Sequence, residues 1–185
     1  MRIEKTNLEG CIIIHENYGR DERGYFMESY NQKAFFALTG LSIDFVQDNQ
    51  SLSRKGVLRG LHFQNGDAAQ AKLVRVLEGE VLDVVVDLRR TSATFGQHFS
   101  VILSAQNHTQ LFVPRGFAHG FLVLSEEAVF FYKCDNYYNP AAEGGIIFND
   151  PDLEIDWKLP ESELLLSAKD KLLPTLQEVM PALKF

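Results

Sequence analysis

Gly56-Val57-Leu58-Arg59-Gly60-Leu61-His62-Phe63-Gln64 sets a histidine in an apolar, strand-like run punctuated by glycines. An echo follows further along, Pro114-Arg115-Gly116-Phe117-Ala118-His119, succeeded by Gly120 and another apolar stretch. Side chains two apart share one face of a strand. Gly60, His62 and Gln64 therefore share a face, Lys72, Val74 and Val76 a second, and Val81, Asp83, Val85 and Asp87 a third. His119, Phe121 and Val123 form a fourth face, and Phe130, Tyr132 and Cys134 a fifth. If all five faces look inward, a small β-barrel holds His62, Lys72, Asp83, His119 and Tyr132 inside an otherwise apolar interior. Arg59 has the wrong parity to join His62 unless Gly60 marks a bulge, a common use of a strand glycine.

Strand signals continue on both sides. Cys11-Ile-Ile-Ile-His15 is a β-branched run, and the polar turn Asp21-Glu-Arg-Gly24 delivers Tyr25-Phe-Met-Glu-Ser-Tyr30. Further strands are predicted at Phe45-Val46, Val57–Leu61, Leu73–Leu77, Val81–Leu88, Phe99–Leu103, Gln110–Val113, Phe121–Leu124 and Val129–Phe131. Gly66-Asp67, Gly79-Glu80 and Asn107 separate them as turns. Asn31 is placed to cap a short helix over Gln32–Leu38 that Gly40 closes. The tail reads as short helices on the outside, Glu161–Leu166 and Leu172–Leu183, the second broken by Pro174 and Pro181. Many short strands with glycine corners favour a sandwich or barrel over a parallel sheet. The expected fold is mainly β, in one domain spanning residues 1–185.

Composition narrows the function. Hydrophobic residues make up 45% and charged ones 23%, an ordinary globular mixture. A net charge of −7 argues against a nucleic-acid partner, although a few local Arg and Lys can still hold a small anion. No run reaches membrane length, and the first residues lack the apolar core of a signal peptide, so a cytoplasmic protein is expected. Cys11 and Cys134 are too few and too distant for a disulfide framework, and unpaired thiols are expected. His15, His98 and His108 have no motif around them, Asp83 and Asp87 read equally as turn or edge acids, and Arg89-Arg90 reads as a solvated charge pair.

The two histidine frames resemble the cupin superfamily, which implies a jelly-roll β-barrel. Its first motif spaces a glycine five residues before His-x-His, with a carboxylate six residues before a closing glycine. Here Gly56 precedes His62-Phe63-Gln64 by five residues, and Lys72 stands six residues before Gly79. The second motif, Pro-x-Gly-x-x-His, is complete at Pro114 to His119. Gln64 thus replaces a histidine ligand and the cation Lys72 replaces the carboxylate. Zinc and iron sites take three or four His, Cys or carboxylate ligands, so no metal is expected. The same set suits proton transfer beside a carbonyl. A neutral His62 can accept a proton near neutral pH, Lys72 can stabilise an enolate oxygen, and Tyr132 can return a proton from the other side. Either Asp83 or Asp170 can orient the imidazole. A base on one face and an acid on the other inverts a carbon centre.

More specifically, the chain resembles the dTDP-4-dehydrorhamnose 3,5-epimerase family. The matching segments are Asp21–Glu28, Phe45–Asn49, Gly56–His62, Lys72–Val74, Asp83–Arg89, Ser92–Gly96, Pro114–Phe121 and Tyr132–Pro140, with Asn149–Pro151, Ile155–Trp157 and Ser167–Asp170 in the tail. The resemblance implies the substrate dTDP-4-dehydro-6-deoxy-D-glucose, whose C4 ketone acidifies C3 and C5, and no cofactor or metal. It implies His62 as base with Asp170 as its partner, Lys72 at the enolate and Tyr132 as acid. Arg23 and Arg59 would meet the diphosphate. Phe26, Glu28, Gln47, Asp48, Asn49, Asp83, His119, Glu143 and Lys169 match binding positions, and Tyr138 matches the aromatic that stacks on thymine. The family also implies a homodimer in which Asp21–Glu28 crosses to the neighbouring subunit. Phe63, Phe148 and Ala168 depart from the commonest family residues without touching the acid, the base or the lysine. Readings outside double epimerisation are a mono-epimerase on a related 4-keto sugar, a metal-dependent cupin oxygenase and a non-catalytic sugar-nucleotide-binding cupin.

Overall fold

A computed structural model describes residues 1–185. Its strands are β1 (Arg2–Lys5), β2 (Ile12–His15), β3 (Tyr18–Asp21), β4 (Gly24–Met27), β5 (Gln47–Arg54), β6 (Leu58–Gln64) and β7 (Lys72–Glu78). They continue with β8 (Glu80–Asp87), β9 (His98–Ser104), β10 (Thr109–Val113), β11 (Phe117–Val123), β12 (Glu127–Cys134) and β13 (Glu143–Gly145). Two antiparallel sheets result, a six-stranded one ordered β1-β2-β10-β7-β12-β5 and a five-stranded one ordered β13-β6-β11-β8-β9. They stack face to face as a jelly-roll sandwich. The β3–β4 hairpin pairs only with itself.

Alternation places the main core between the sheets. Val74 and Val76 from β7, Val81 and Val85 from β8, Phe117, Phe121 and Val123 from β11, and Ala128 and Phe130 from β12 pack in one buried cluster. The inward parity read from the sequence therefore holds across both sheets. A second cluster lies on the back of the five-stranded sheet. There Leu58, Leu61, Phe63, Leu82, Val84 and Val86 meet Ile146, Phe148, Leu153, Trp157, Leu176 and Leu183 of the tail. The tail adds 3-10 turns at Glu161–Glu163, Asp170–Leu172 and Met180–Ala182 and one short helix, α2 (Leu176–Val179). Buried Asp150 pins it by accepting the backbone N–H of Leu153 at 3.2 Å and of Leu176 at 2.6 Å. The first helix, α1 (Gln32–Thr39), has its expected ends. Asn31 Oδ1 accepts from the Ala34 N–H at 3.1 Å, and Gly40 closes it at φ +72°. Its Phe35 covers Ile12, Ile14, Leu73 and Phe112 on the back of the six-stranded sheet.

Gly60 explains how Arg59 joins His62. Between β6 and β11 the register runs His119 to His62 but Phe121 to Arg59, so one extra residue of β6 is accommodated there. Such a bulge returns the chain to the same face after three residues instead of two. Gly60 has φ +129°, and a Cβ on it would stand 2.6 Å from the Cα of Gly120. Only glycine meets both conditions.

Three expectations are corrected. The strand signal at Phe45-Val46 falls just before the real strand, because β5 is Gln47–Arg54 and is polar except for Leu52. Its inward residues border a cavity instead of the core, so alternation of apolar residues is missing. Asp87 is no edge acid and Arg89 is not solvated. Asp87 is fully buried and takes Arg89 Nε at 2.9 Å, with Ser92 Oγ at 2.6 Å and Thr94 Oγ1 at 2.7 Å. A buried carboxylate needs such partners. Asp83 is likewise fully buried, inside the sandwich.

Candidate active site

Between the sheets, at one end, lies a cavity of about 620 Å³ whose walls include His62, Lys72, His119, Tyr132 and Asp170. His62 comes from β6 on the five-stranded sheet, with His119 directly opposite it on β11. Tyr132 comes from β12 and Lys72 from the start of β7, both on the six-stranded sheet. Imidazole and phenol thus occupy opposite walls.

Each histidine has its own carboxylate. His62 Nε2 lies 2.6 Å from Asp170 Oδ1, and His119 Nε2 lies 2.9 Å from Asp83 Oδ2. A carboxylate only accepts, so Nε2 of His62 donates and Nδ1 is left as the basic nitrogen. The sequence left Asp83 and Asp170 as alternatives for orienting the base; the geometry assigns Asp170 to His62 and Asp83 to His119. Asp170 arrives from the tail. Leu165 exchanges hydrogen bonds with β6 and its lead-in, N–H to Gly56 O at 2.7 Å and O from Leu58 N–H at 3.1 Å. Five residues on, the chain turns and Ser167 Oγ accepts the Asp170 N–H at 3.0 Å. The wall also includes Ser167, absent from the expected site; its spacing in Ser167-Ala-Lys-Asp170 is the local signal for this turn.

Lys72 and Tyr132 are neighbours, with the ammonium 5.7 Å from the ring centroid. Burial pushes the Lys72 ammonium below the usual lysine range, with Cys134, Asp83 and Glu143 opposing. Burial pushes the Tyr132 phenol above its ordinary value, Cys134 adds to this and Arg59 opposes it. Arg59 also borders the cavity and donates through Nε to Ser53 Oγ at 3.1 Å. Asn49 and Ser51 line the same wall, the second of them reachable from the first by strand parity. Gln47 Nε2 donates to Asn49 Oδ1 at 3.1 Å.

At the rim, Glu143 Oε2 accepts from Lys169 Nζ at 2.6 Å and from the Tyr138 hydroxyl at 2.7 Å. Burial alone would raise the Glu143 carboxyl, but these two hydrogen bonds, together with the positive charge of Lys169 and the neighbouring His62, hold it below the usual range. Arg59, Lys72 and Lys169 outnumber Glu143 and Asp170 in the lining, a small cationic excess in a chain of net charge −7. Such a lining suits an anionic ligand.

Four expected residues lie elsewhere in the single chain. Asp48 sits on the outward face of β5 and pairs with Lys133 Nζ at 2.9 Å. Arg23 and Phe26 belong to the free β3–β4 hairpin, and Glu28 follows it, exposed. Arg23 Nε donates to Asp21 Oδ2 at 3.0 Å, and Phe26 is 81% exposed. No group of three or more His, Cys, Asp or Glu side chains converges as a metal site.

Known proteins of similar sequence share this fold. The family model described as dTDP-4-dehydrorhamnose 3,5-epimerase matches residues 5–178. The chain is 52% identical over 183 residues to the dTDP-4-dehydrorhamnose 3,5-epimerase of Salmonella typhimurium, covering 97% of this chain and 98% of that one. The crystal structure of the Elizabethkingia anophelis dTDP-4-dehydrorhamnose 3,5-epimerase superposes with a TM-score of 0.93 at 58% identity, covering 96% and 97% of the two chains. A Legionella pneumophila dTDP-6-deoxy-D-glucose-3,5-epimerase, solved in complex with dTDP-4-keto-L-rhamnose, gives 0.91 at 50% identity over 95% and 93%.

Proposed function

The chain belongs to the dTDP-4-dehydrorhamnose 3,5-epimerase family, and we propose that it inverts its sugar by proton transfer between His62 and Tyr132. It is an isomerase that converts dTDP-4-dehydro-6-deoxy-D-glucose to dTDP-4-dehydro-L-rhamnose. The observation that carries the mechanism is the placement of a carboxylate-backed imidazole and a buried phenol on opposite walls of one cavity.

The C4 ketone supplies the electron sink, so the enzyme needs only to move protons and hold charge. Nδ1 of His62 takes the proton from carbon, and Asp170 stabilises the imidazolium that forms. Lys72 meets the negative charge developing on the C4 oxygen, where a desolvated ammonium is most effective. Tyr132 delivers a proton to the opposite face of the enolate carbon. Turning the ring in the cavity and repeating the cycle inverts the second centre. His119, held by Asp83, and Asn49 contact the sugar. Arg59 meets the diphosphate and Tyr138 stacks on the base, with Gln47, Glu143 and Lys169 around it. The working unit is a homodimer, in which the unpaired hairpin brings Arg23, Phe26 and Glu28 to the partner's site. Exposure of Phe26 and the absence of other pairing for β3–β4 support this exchange. The two buried thiols are free, in keeping with a reducing cytoplasm.

The test is proton NMR in D2O with chelator-treated protein, substrate and, in parallel, a 4-ketoreductase with NADPH. Deuterium is expected at both C3 and C5, with L-rhamnose in the coupled reaction, from a species sedimenting as a dimer. Label at one carbon only would make the enzyme a mono-epimerase; loss of activity on chelation would overturn the metal-free mechanism; a monomer mass would remove the exchanged hairpin.

Lys72→Met isolates the oxyanion role. Turnover is expected to fall about 10²-fold, the scale of losing one preorganised charge stabiliser. Stability should move the other way. A base whose folded pKa lies below its unfolded value binds fewer protons when folded, so native stability rises with pH up to the unfolded value near 10.4 and is reduced at neutral pH. Removing that group raises the thermal midpoint at pH 7, as scanning calorimetry would show. A lowered midpoint would mean that the ammonium supports the fold.

A further inference from the structure

Gln64 stands where the cupin frame carries its second histidine, and the chemistry above leaves it without a task. It is the last residue of β6 and is buried on the inward face with His62. Its Oε1 accepts the backbone N–H of Asn139 at 2.8 Å. One residue earlier, the Tyr138 N–H donates to Gln47 Oε1 at 3.0 Å. Gln47 belongs to the six-stranded sheet and Gln64 to the five-stranded one. Two glutamine carbonyls, one from each layer, therefore hold consecutive amides of a segment that has no ladder of its own between β12 and β13.

The start of that segment is tied as well. Asp135 Oδ1 accepts the Ala71 N–H at 2.6 Å, and Gln70 Nε2 donates to Asn136 O at 2.8 Å. At its far end Tyr138 stands half exposed at the cavity rim, its hydroxyl on Glu143. Backbone N–H groups in such a segment need acceptors, and an aromatic ring gains most from stacking when it is already held in place. A neutral amide also suits the position. Glu143 is the cross-strand neighbour of Gln64, and a carboxylate at 64 would oppose it directly.

We propose that Gln64 is a positioning residue which, together with Gln47, fixes the Tyr138–Asn139 backbone so that the Tyr138 ring is a preformed platform for the pyrimidine base of the substrate. The position that binds metal in a cupin frame has become an anchor for nucleotide recognition. This rests on the nucleotide-sugar reading above.

Gln64→Met keeps the bulk and removes the acceptor. Three measurements apply to it: hydrogen exchange at the Asn139 amide, the Kd for dTDP by calorimetry, and kcat against KM. Asn139 protection is expected to fall, and Kd and KM to rise about tenfold with kcat nearly unchanged, the size of a lost stacking contribution. Gln47→Met, which removes the acceptor from the other sheet, should deprotect the Tyr138 amide and raise the dTDP Kd alike, and it keeps the test decisive if Gln64→Met misfolds. In a Tyr138→Ala background, Gln64→Met should weaken dTDP no further. Equal weakening with and without the Tyr138 ring, or unchanged affinity once Asn139 is deprotected, would overturn the proposal. Failure of the wild-type protein to bind dTDP would overturn the nucleotide reading instead, and Asn139 exchange would still decide whether Gln64 holds the segment.

Discussion

Protein with His62 replaced by alanine is expected to leave C3 and C5 of dTDP-4-dehydro-6-deoxy-D-glucose unlabelled in D2O, with kcat reduced about 10⁴-fold, the upper end for loss of a general base. The size follows from the pair at 2.6 Å between His62 Nε2 and Asp170 Oδ1. Asp170 fixes the tautomer and stabilises the product cation, so both proton removal and the energy of the charged intermediate state depend on one ring. No second imidazole substitutes, because His119 is buried on the neighbouring strand and its ring does not stand where the His62 ring stood. Affinity for dTDP should be little changed, since the groups proposed for base and diphosphate remain. Asp170 is buried and loses its partner, a cost of about 1–3 kcal/mol, so the variant must be compared at a temperature where it is folded. Asp170→Asn tests the same link from the other side and should lose less, about 10²-fold, because the base itself survives. Exchange at either carbon within tenfold of wild type in His62→Ala would remove His62 from the mechanism.

Legibility in the sequence differed from residue to residue, and the differences have physical causes. Strand parity alone brought His62, Lys72, Asp83, His119 and Tyr132 into one interior, because period two is a local property and the flanking valines and phenylalanines mark the buried face. Arg59 was legible only on condition that Gly60 formed a bulge, and the register between β6 and β11 meets that condition. Helix α1 was readable from Asn31 and Gly40, since caps are local chemistry. By contrast, Gln47–Arg54 concealed a strand, because residues facing a polar cavity break the apolar alternation that announces one. Asp170 lies 108 residues from His62, and nothing in its own neighbourhood announces the meeting. Only family resemblance paired them. The partner choice between Asp83 and Asp170, and the bond of Asp87 to Arg89, likewise depend on tertiary distance. Arg23, Phe26 and Glu28 fall outside the cavity of one chain, and nothing local in a hairpin that pairs only with itself says what it packs against.

Tyr132→Phe should separate the two halves of the reaction. Phenylalanine keeps the ring in its place beside Phe130, 6.0 Å between centroids, and beneath the Lys72 ammonium. Only the hydroxyl is lost, so the fold should be unaffected. His62 can still remove protons, and deuterium should still enter the sugar as the imidazolium exchanges with solvent and returns its proton to the same face. Inversion needs delivery from the opposite wall, and the yield of L-configured product in the ketoreductase-coupled assay is expected to fall about 10³-fold. Burial raises the Tyr132 pKa, so in the wild-type enzyme the phenol stays protonated to more alkaline pH than a free tyrosine, and the activity that depends on it should decline only above the ordinary value near 10. That alkaline limb should be absent from the residual activity of the variant. Exchange and inversion lost together would mean that Tyr132 acts before the enolate forms. Undiminished inversion would hand the second proton to Lys72, the neighbouring group that lines the cavity on the same wall and whose lowered pKa would then be the property that lets it serve as an acid.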